Sequence, residues 1–391
     1  MLQKKIMGAV ILAGTLLGSP ALTMAASTPA TYAWQGGAGG NSSQAVILTP
    51  AMGMAQDAGF IYTIKNSNTI EKTNKVDGSL VWSQPINLST TFRDVIEVKV
   101  DDSNIYVLGS AGVQVYDKAA GSFTKEAQVC TLIGCAYNAN TVFKSIEVSA
   151  DSIYVTGTKM KSPMRYKVQP TYSASVVKLN KADLTLAWEK NFVAESSTVS
   201  GPSAFDAASG KIYVSIMAGR NMRLGSGSIV QYLSAYLISV NAADGAQISS
   251  DKLTYYGNLQ SMYAGTDGVY LVGRAVVDPA SFTAVDMVEK RSLSNPATVL
   301  WQSRPDNAGG FTSRIVTQDD EKNVYVLGTT GTTGTAFRLN QADGTTLGQV
   351  SLKSVPVAAA FNDPTGAQHD LITLGQTTSN PYAIDSIVAP F

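Results

Sequence analysis

The sequence has one histidine, His369, and two cysteines, Cys130 and Cys135, among its 391 residues. A single imidazole excludes His-based metal cages and Ser-His-Asp chemistry as the working machinery. Charge is scarce as well. Asp, Glu, Lys and Arg make up 15% of the chain, 29 acidic against 29 basic, where soluble domains average about 25%. Without a basic excess, the chain lacks the electrostatic footprint of a nucleic-acid binder. Past residue 17 no long apolar run occurs, so no transmembrane helix is expected. No segment after the N-terminus keeps a 3.6-residue apolar period, which leaves strands as the main element. Apolar residues are nevertheless 45% of the chain, enough for a large core, so wholesale disorder is excluded.

The N-terminus carries an address. Lys4 and Lys5 precede a short apolar stretch, Ile6 to Leu17, and Thr23-Met24-Ala25 supplies small residues at a cleavage site. This pattern reads as a secretory signal over residues 1–25, with residues 26–391 exported to the periplasm or the medium. No cysteine follows the cleavage site to carry a lipid. In an oxidising compartment Cys130 and Cys135 are expected to form a disulfide, since their spacing does not fit a CxxC redox pair. Chain entropy values so small a ring at about 2 kcal/mol.

What the sequence does contain is a repeat. Ile/Val-Tyr-Val recurs after an Asp-containing turn, with its tyrosine at Tyr62, Tyr106, Tyr154, Tyr213, Tyr270 and Tyr325; Leu371-Ile372-Thr373 is a seventh, weaker instance. The turn aspartates are Asp57, Asp102, Asp151, Asp206, Asp267, Asp320 and Asp363. The period is about 52 residues, which indicates an array or a propeller of seven units. Each unit reads as four short strands. Strand A is apolar and precedes the Asp turn, as in Val95-Ile96-Glu97-Val98 and Ser145-Ile146-Glu147-Val148. Strand B is the Tyr motif, and strand C is an alternating run such as Val176-Val177-Lys178-Leu179. A turn of the form Asn-x-x-Asp-Gly follows at Asn74, Asn241 and Asn340, and strand D holds Trp82, Trp188 or Trp301. Six tyrosines at one structural position are expected to form packing layers between units rather than ligand contacts.

The ends of the chain complement each other. The last unit ends at Phe391 without a strand D, whereas Tyr32-Ala33-Trp34-Gln35 looks like a strand D with no unit before it. Residues 31–36 are therefore expected to complete the last blade and close the ring, leaving no unfinished edge. The fold class is all-β: a seven-bladed β-propeller of four-stranded blades, closed by the N-terminal strand. An outer-membrane barrel would repeat as simple hairpins, without this four-strand cycle.

At the turns and tryptophans the sequence resembles the PQQ-like, quinoprotein-type propeller repeat. That family pattern places Trp eight positions after the first residue of an Asp-x-x-Thr-Gly turn. Asn74 and Trp82 keep this spacing, as do Asn180 and Trp188, although Asn replaces the first Asp. The resemblance implies the fold over nearly the whole mature chain. It does not imply a function, because the fold hosts many activities. Quinoprotein dehydrogenases of the family bind PQQ and calcium. Here no acidic cage for calcium can be assigned and the cysteines are not adjacent, so no cofactor and no metal is expected.

The longest repeat intervals fall in blades 3 to 5, and their excess lies in the B–C connections. These carry Lys159, Lys161, Arg165, Tyr166 and Lys167 in blade 3, Arg220 and Arg223 in blade 4, and Arg274 in blade 5. Residues 157–175 and 217–235 contain no acid. Basic loops with interleaved Met and Tyr suit an anionic partner: an acidic glycan, a lipid head group or an acidic protein surface. The reading is an exported binding or scaffold propeller with no assigned catalytic residue. Two alternatives stay open. One is a propeller enzyme, either a carboxylate glycosidase or a PQQ-dependent dehydrogenase. The other is a structural subunit of a surface or extracellular assembly. His369 reads as a turn residue on the opposite face.

Overall fold

The computed structural model describes residues 28–29, 32–36 and 53–387, apart from 90–91, 93, 136–141, 163–170, 195–197, 224–228, 257–258, 279–282, 306–309, 320, 362–370 and 377–382. Its strands form seven sheets, each an antiparallel blade whose strands follow one another from inside to outside. We label them A to D. The inner A strands are Met54–Gln56, Glu97–Val100, Val142–Val148, Thr198–Asp206, Leu259–Ala264, Phe311–Gln318 and Val355–Phe361.

The ring closes through the N-terminus. Tyr32–Gly36 is strand D of blade 7, antiparallel to Ala383–Ile387 with Gln35 opposite Asp385. Just before it, Thr28–Pro29 adds a fifth, parallel strand to the outer edge of blade 6, with Thr28 opposite Val350. The sequence repeat did not announce this second attachment. The N-terminal segment thus ties blade 6 to blade 7.

Apolar residues do not gather in one core. They form seven layers, each between two neighbouring blades. Tyr62 of blade 1 packs with Val98 and Val107 of blade 2. The seventh layer joins Ile61 of blade 1 to Ile372 and Ile384 of blade 7, which completes the circle. The repeated tyrosines lie in these layers, and Tyr62, Tyr106, Tyr213 and Tyr270 are fully buried.

The Tyr-bearing strands are also latched by polar groups. Asp57 Oδ2 accepts from Tyr62 Oη at 2.8 Å and pairs with Lys118 of blade 2 at 3.1 Å. In blade 2 the equivalent residue is Asp101, not Asp102: it accepts from Tyr106 Oη and pairs with Lys181 of blade 3, both at 2.6 Å. In blade 6 Asp319, not Asp320, caps the turn through Asn323 N–H at 2.7 Å. In blades 1 and 2 the carboxylate thus reaches both the following amides and the tyrosine.

The Trp and Gly signatures pair across blades. Gly245 has φ +74°, and a Cβ there would lie 3.0 Å from Trp188 Cε3. Gly344 and Gly121 meet Trp301 and Trp82 in the same way. Only a residue without Cβ lets the turn of one blade lie flat on the indole of the blade before it. Trp188 Nε1 donates to Ala243 O at 3.1 Å and Trp301 Nε1 to Gln341 O at 2.9 Å. A strand C lysine opposite each Trp reaches the same turns: Lys178 donates to Ala242 O and Lys290 to Gln341 O. Blade 2 has Lys125 where blades 1, 3 and 5 have Trp, and it donates to Lys181 O and Ala182 O.

Candidate functional site

The excess length of blades 3 to 5 is strand rather than loose loop. In blade 4, strands Lys211–Arg223 and Ile229–Asn241 pair along their whole length. Strand A stops opposite Ala218 and strand D stops opposite Ser234. The five pairs from Gly219–Leu233 to Arg223–Ile229 therefore continue as a two-stranded ribbon beyond the sheet, about 16 Å long at ~3.3 Å per residue. Blade 3 extends likewise past Thr158, and blade 5 past Gly273. In blades 1, 2 and 6 the described strands B and C end level with their sheets.

Five of the basic residues singled out from the sequence fall in these ribbons: Lys159, Lys161, Arg220, Arg223 and Arg274. Lys159 is turned inward. Its Nζ donates to Ile133 O at 2.7 Å and to Glu189 Oε1 at 2.8 Å. Ile133 lies within the loop that the Cys130–Cys135 disulfide closes, so Lys159 ties the base of the blade 3 ribbon to that loop. Arg274 is exposed, 3.8 Å from Asp286 on the facing strand. Asp286 is itself held by Ser313 N–H and Oγ–H of blade 6. Arg165, Tyr166, Lys167 and His369 lie outside the described residues, as do the side chains of Lys161, Arg220 and Arg223.

A second site lies on the axis. The A strands enclose a cavity of about 1400 Å³ that opens between the A–B and C–D turns, near Asp57, Ala208 and Leu293. Small residues make the room: Ser203 of blade 4, Ala264 of blade 5, and Ala358 and Ala359 of blade 7 stand on its wall. Blades 2 and 3 contribute charge instead. Glu97 and Lys99 are two apart on one strand and share a face; Glu147 comes from the next blade. Lys99 Nζ lies 3.3 Å from Glu97 Oε1 and 3.4 Å from Glu147 Oε2.

The two carboxylates are not equivalent. Glu97 Oε2 also accepts from Ser145 Oγ–H at 2.9 Å and Ile146 N–H at 2.8 Å. Among the described residues Glu147 has Lys99 alone. Burial pushes the Glu147 carboxyl up to about 7; Lys99 opposes this and the charge of Glu97 adds to it. Burial would lower the Lys99 ammonium, but the two carboxylates outweigh it and hold it above its ordinary value.

Sequence reasoning placed Glu97 and Glu147 in strand A but did not pair them. The available signal was their matching place in adjacent repeats, Ile-Glu-Val in both. Among the described residues no three His, Cys, Asp or Glu side chains gather as a metal cage.

No protein-family model matches the chain, and no curated protein matches it by sequence. Solved structures do resemble it. A chain of the mitotic checkpoint complex crystal structure is 10% identical, with a TM-score of 0.61 and 99% of each chain covered. Sqt1 of Saccharomyces cerevisiae is 10% identical, with a TM-score of 0.54, covering 93% of this chain and 100% of Sqt1. BamB from Moraxella catarrhalis is 10% identical at a TM-score of 0.49, covering 86% of this chain and 85% of BamB. At such identity the likeness to the first two speaks for architecture alone: the chain is a seven-bladed β-propeller.

Proposed function

We propose that this protein is an exported propeller of the PQQ-like repeat type that binds an anionic partner on the ribbon face of blades 3 to 5. The observation that carries the reading is the asymmetry of the ring. Three adjacent blades, and only those among the described strands, raise two-stranded ribbons on one face. A rigid ring presenting such ribbons is a platform for docking. The acid-free segments of blades 3 and 4 supply cations suited to carboxylate, sulfate or phosphate. Lys159 supports the platform from below, which leaves Lys161, Arg165, Lys167, Arg220, Arg223 and Arg274 to meet the partner.

The test is salt-dependent binding to three probes: heparin, phosphatidylglycerol vesicles and polyglutamate. The native protein should be retained by at least one of them. The variant K161E/R165E/R220E/R223E should elute at markedly lower salt with an unchanged melting temperature. Equal elution of the two proteins, or no retention of the native protein by any probe, overturns the reading. Which probe retains it distinguishes glycan, lipid and acidic protein.

A further inference from the structure

The axial cavity is lined unevenly by charged and apolar side chains. Blades 2 and 3 present Glu97, Lys99 and Glu147. Blades 5, 6 and 7 present Met262, Ile315, Ala358 and Ala359, blade 1 beside blade 2 presents Met54, and Asp57, Lys75, Asp319 and Lys322 line the cavity at the turns. With Glu147 ionised, the charged wall holds two carboxylates and one ammonium, an excess of one negative charge. The excess resides on Glu147, because Glu97 has a hydroxyl and an amide in addition to Lys99. The neighbouring inner strand of blade 4 faces the cavity with the uncharged Ser203 and brings a carboxylate, Asp206, only at the mouth. Asp206 is engaged there by Ser209 and by the amide of Ala208.

We infer that the axial cavity is a binding site for a small organic cation with an apolar body, its ammonium group on Glu147 and its body against Met54, Met262 and Ile315. A cation there completes a two-acid, two-base arrangement in an enclosed site, where an ion pair is screened far less than at the surface. An anion would meet the excess carboxylate. A neutral ligand can donate a hydrogen bond to Glu147 but leaves its charge uncompensated. Methionine side chains in the lining adapt to bodies of different shape. The volume of about 1400 Å³ exceeds the usual range of small-molecule pockets, about 300–1,000 Å³, so the body has space. The entrance lies between the A–B and C–D turns, on the face away from the ribbons. Occupancy of this site is therefore separate from anionic binding on blades 3 to 5.

The test uses isothermal titration with three probes of one shape: 1-naphthylmethylamine, 1-naphthylmethanol and 1-naphthoate. The amine should bind saturably at neutral pH, at least about tenfold more tightly than the alcohol or the acid. E147Q should weaken the amine by about tenfold or more while its melting temperature stays at or above that of the native protein. E147D, which keeps the charge, should retain most of the binding. The ribbon variant K161E/R165E/R220E/R223E should bind the amine normally, so a failure of one site is told apart from a failure of the other. Absence of saturable amine binding, equal affinity for the acid, or an E147Q affinity equal to native overturns the inference.

Discussion

Replacing Asp101 by Asn tests the latch that joins the blades. Asp101 receives four donors: Ser103 N–H at 2.8 Å, Asn104 N–H at 2.7 Å, Tyr106 Oη–H at 2.6 Å and Lys181 Nζ at 2.6 Å. Burial alone would raise its carboxyl, but Lys181, Tyr106 and the two amides together hold it down to about 2. Against an ordinary value near 3.8, that depression corresponds to about 2.5 kcal/mol at ~1.36 kcal/mol per pH unit. The side chain is 18% exposed, so solvent screening trims the figure, to about 2 kcal/mol. Asn also offers one acceptor oxygen in place of two, which leaves one donor unsatisfied at about 1 kcal/mol. The expected loss is thus about 2–3 kcal/mol, or a melting temperature lower by about 2–4 °C for a chain of this size.

The same motif supplies a control. Asp151 stands in the equivalent turn of blade 3, yet Tyr154 Oη donates instead to Ala242 O at 3.3 Å. Asp151 bonds only Ser149 Oγ and Ser152 Oγ beside it. D151N should leave the melting temperature within about 1 °C, as for surface substitutions generally. Calorimetry at neutral pH compares the two. A pH series adds the sign. A depressed carboxyl contributes stability that is present above its unfolded value of 3.8 and lost as pH falls toward 2. The native protein should therefore lose more stability than D101N between those values. Equal losses for D101N and D151N, or an unchanged acid limb in D101N, would show that the latch carries no energy.

Two further outcomes test the Trp–Gly docking and the closure. G245A places a Cβ 2.6 Å from Lys190 Cγ and 3.0 Å from Trp188 Cε3 at φ +74°, whereas G210A at φ +61° meets nothing within 4 Å. G210A should cost about 1 kcal/mol from backbone strain alone, and G245A about 2–3 kcal/mol more. Urea denaturation measures both, and equal costs would refute the indole contact. Removing residues 27–36 takes away the outer strand of blade 7 and the parallel strand on blade 6. Four to five lost ladder bonds at about 1 kcal/mol each predict a fall of roughly 5–6 °C and a tendency to aggregate through the bared strand Ala383–Ile387. An unchanged melting temperature for the purified variant would mean that the ring does not depend on this closure.

The features legible in the sequence are those that each blade repeats for the same steric reason. The tyrosine fills an inter-blade layer, the glycine lies under an indole, and the Asn-x-x-Asp-Gly turn satisfies its own amides, as Asn241 Oδ1 does for Ala243 N–H and Asp244 Oδ1 for Ala246 N–H. Repetition makes such positions stand out above local noise. Features without a repeat did not stand out. Thr28–Pro29 is too short to carry a pattern, and it pairs with a strand more than three hundred residues away. The blade 4 ribbon was readable as extra length but not as strand, because Gly225-Ser226-Gly227-Ser228 marks a turn without telling how far the flanking strands stay paired.

The axial charges show why a repeat can also hide a site. In strand A of blades 2 and 3, Ile-Glu-Val reads as a half-buried strand with its polar residue facing solvent, the usual sense of alternation. In a propeller the inner strand also borders the axial channel, so the same glutamates line the cavity rather than the outer surface. Two of them become neighbours only because consecutive blades stand side by side, a relation that follows from the ring and not from the local sequence. Lys99 then lies between them and fixes their inequality. A whole-chain balance of 29 acids and 29 bases is compatible with this arrangement and with the proposed cationic ribbon face at once, since the two draw on different residues. Electrostatic specificity here is a matter of which face a charge occupies, and the blade repeat assigns that face.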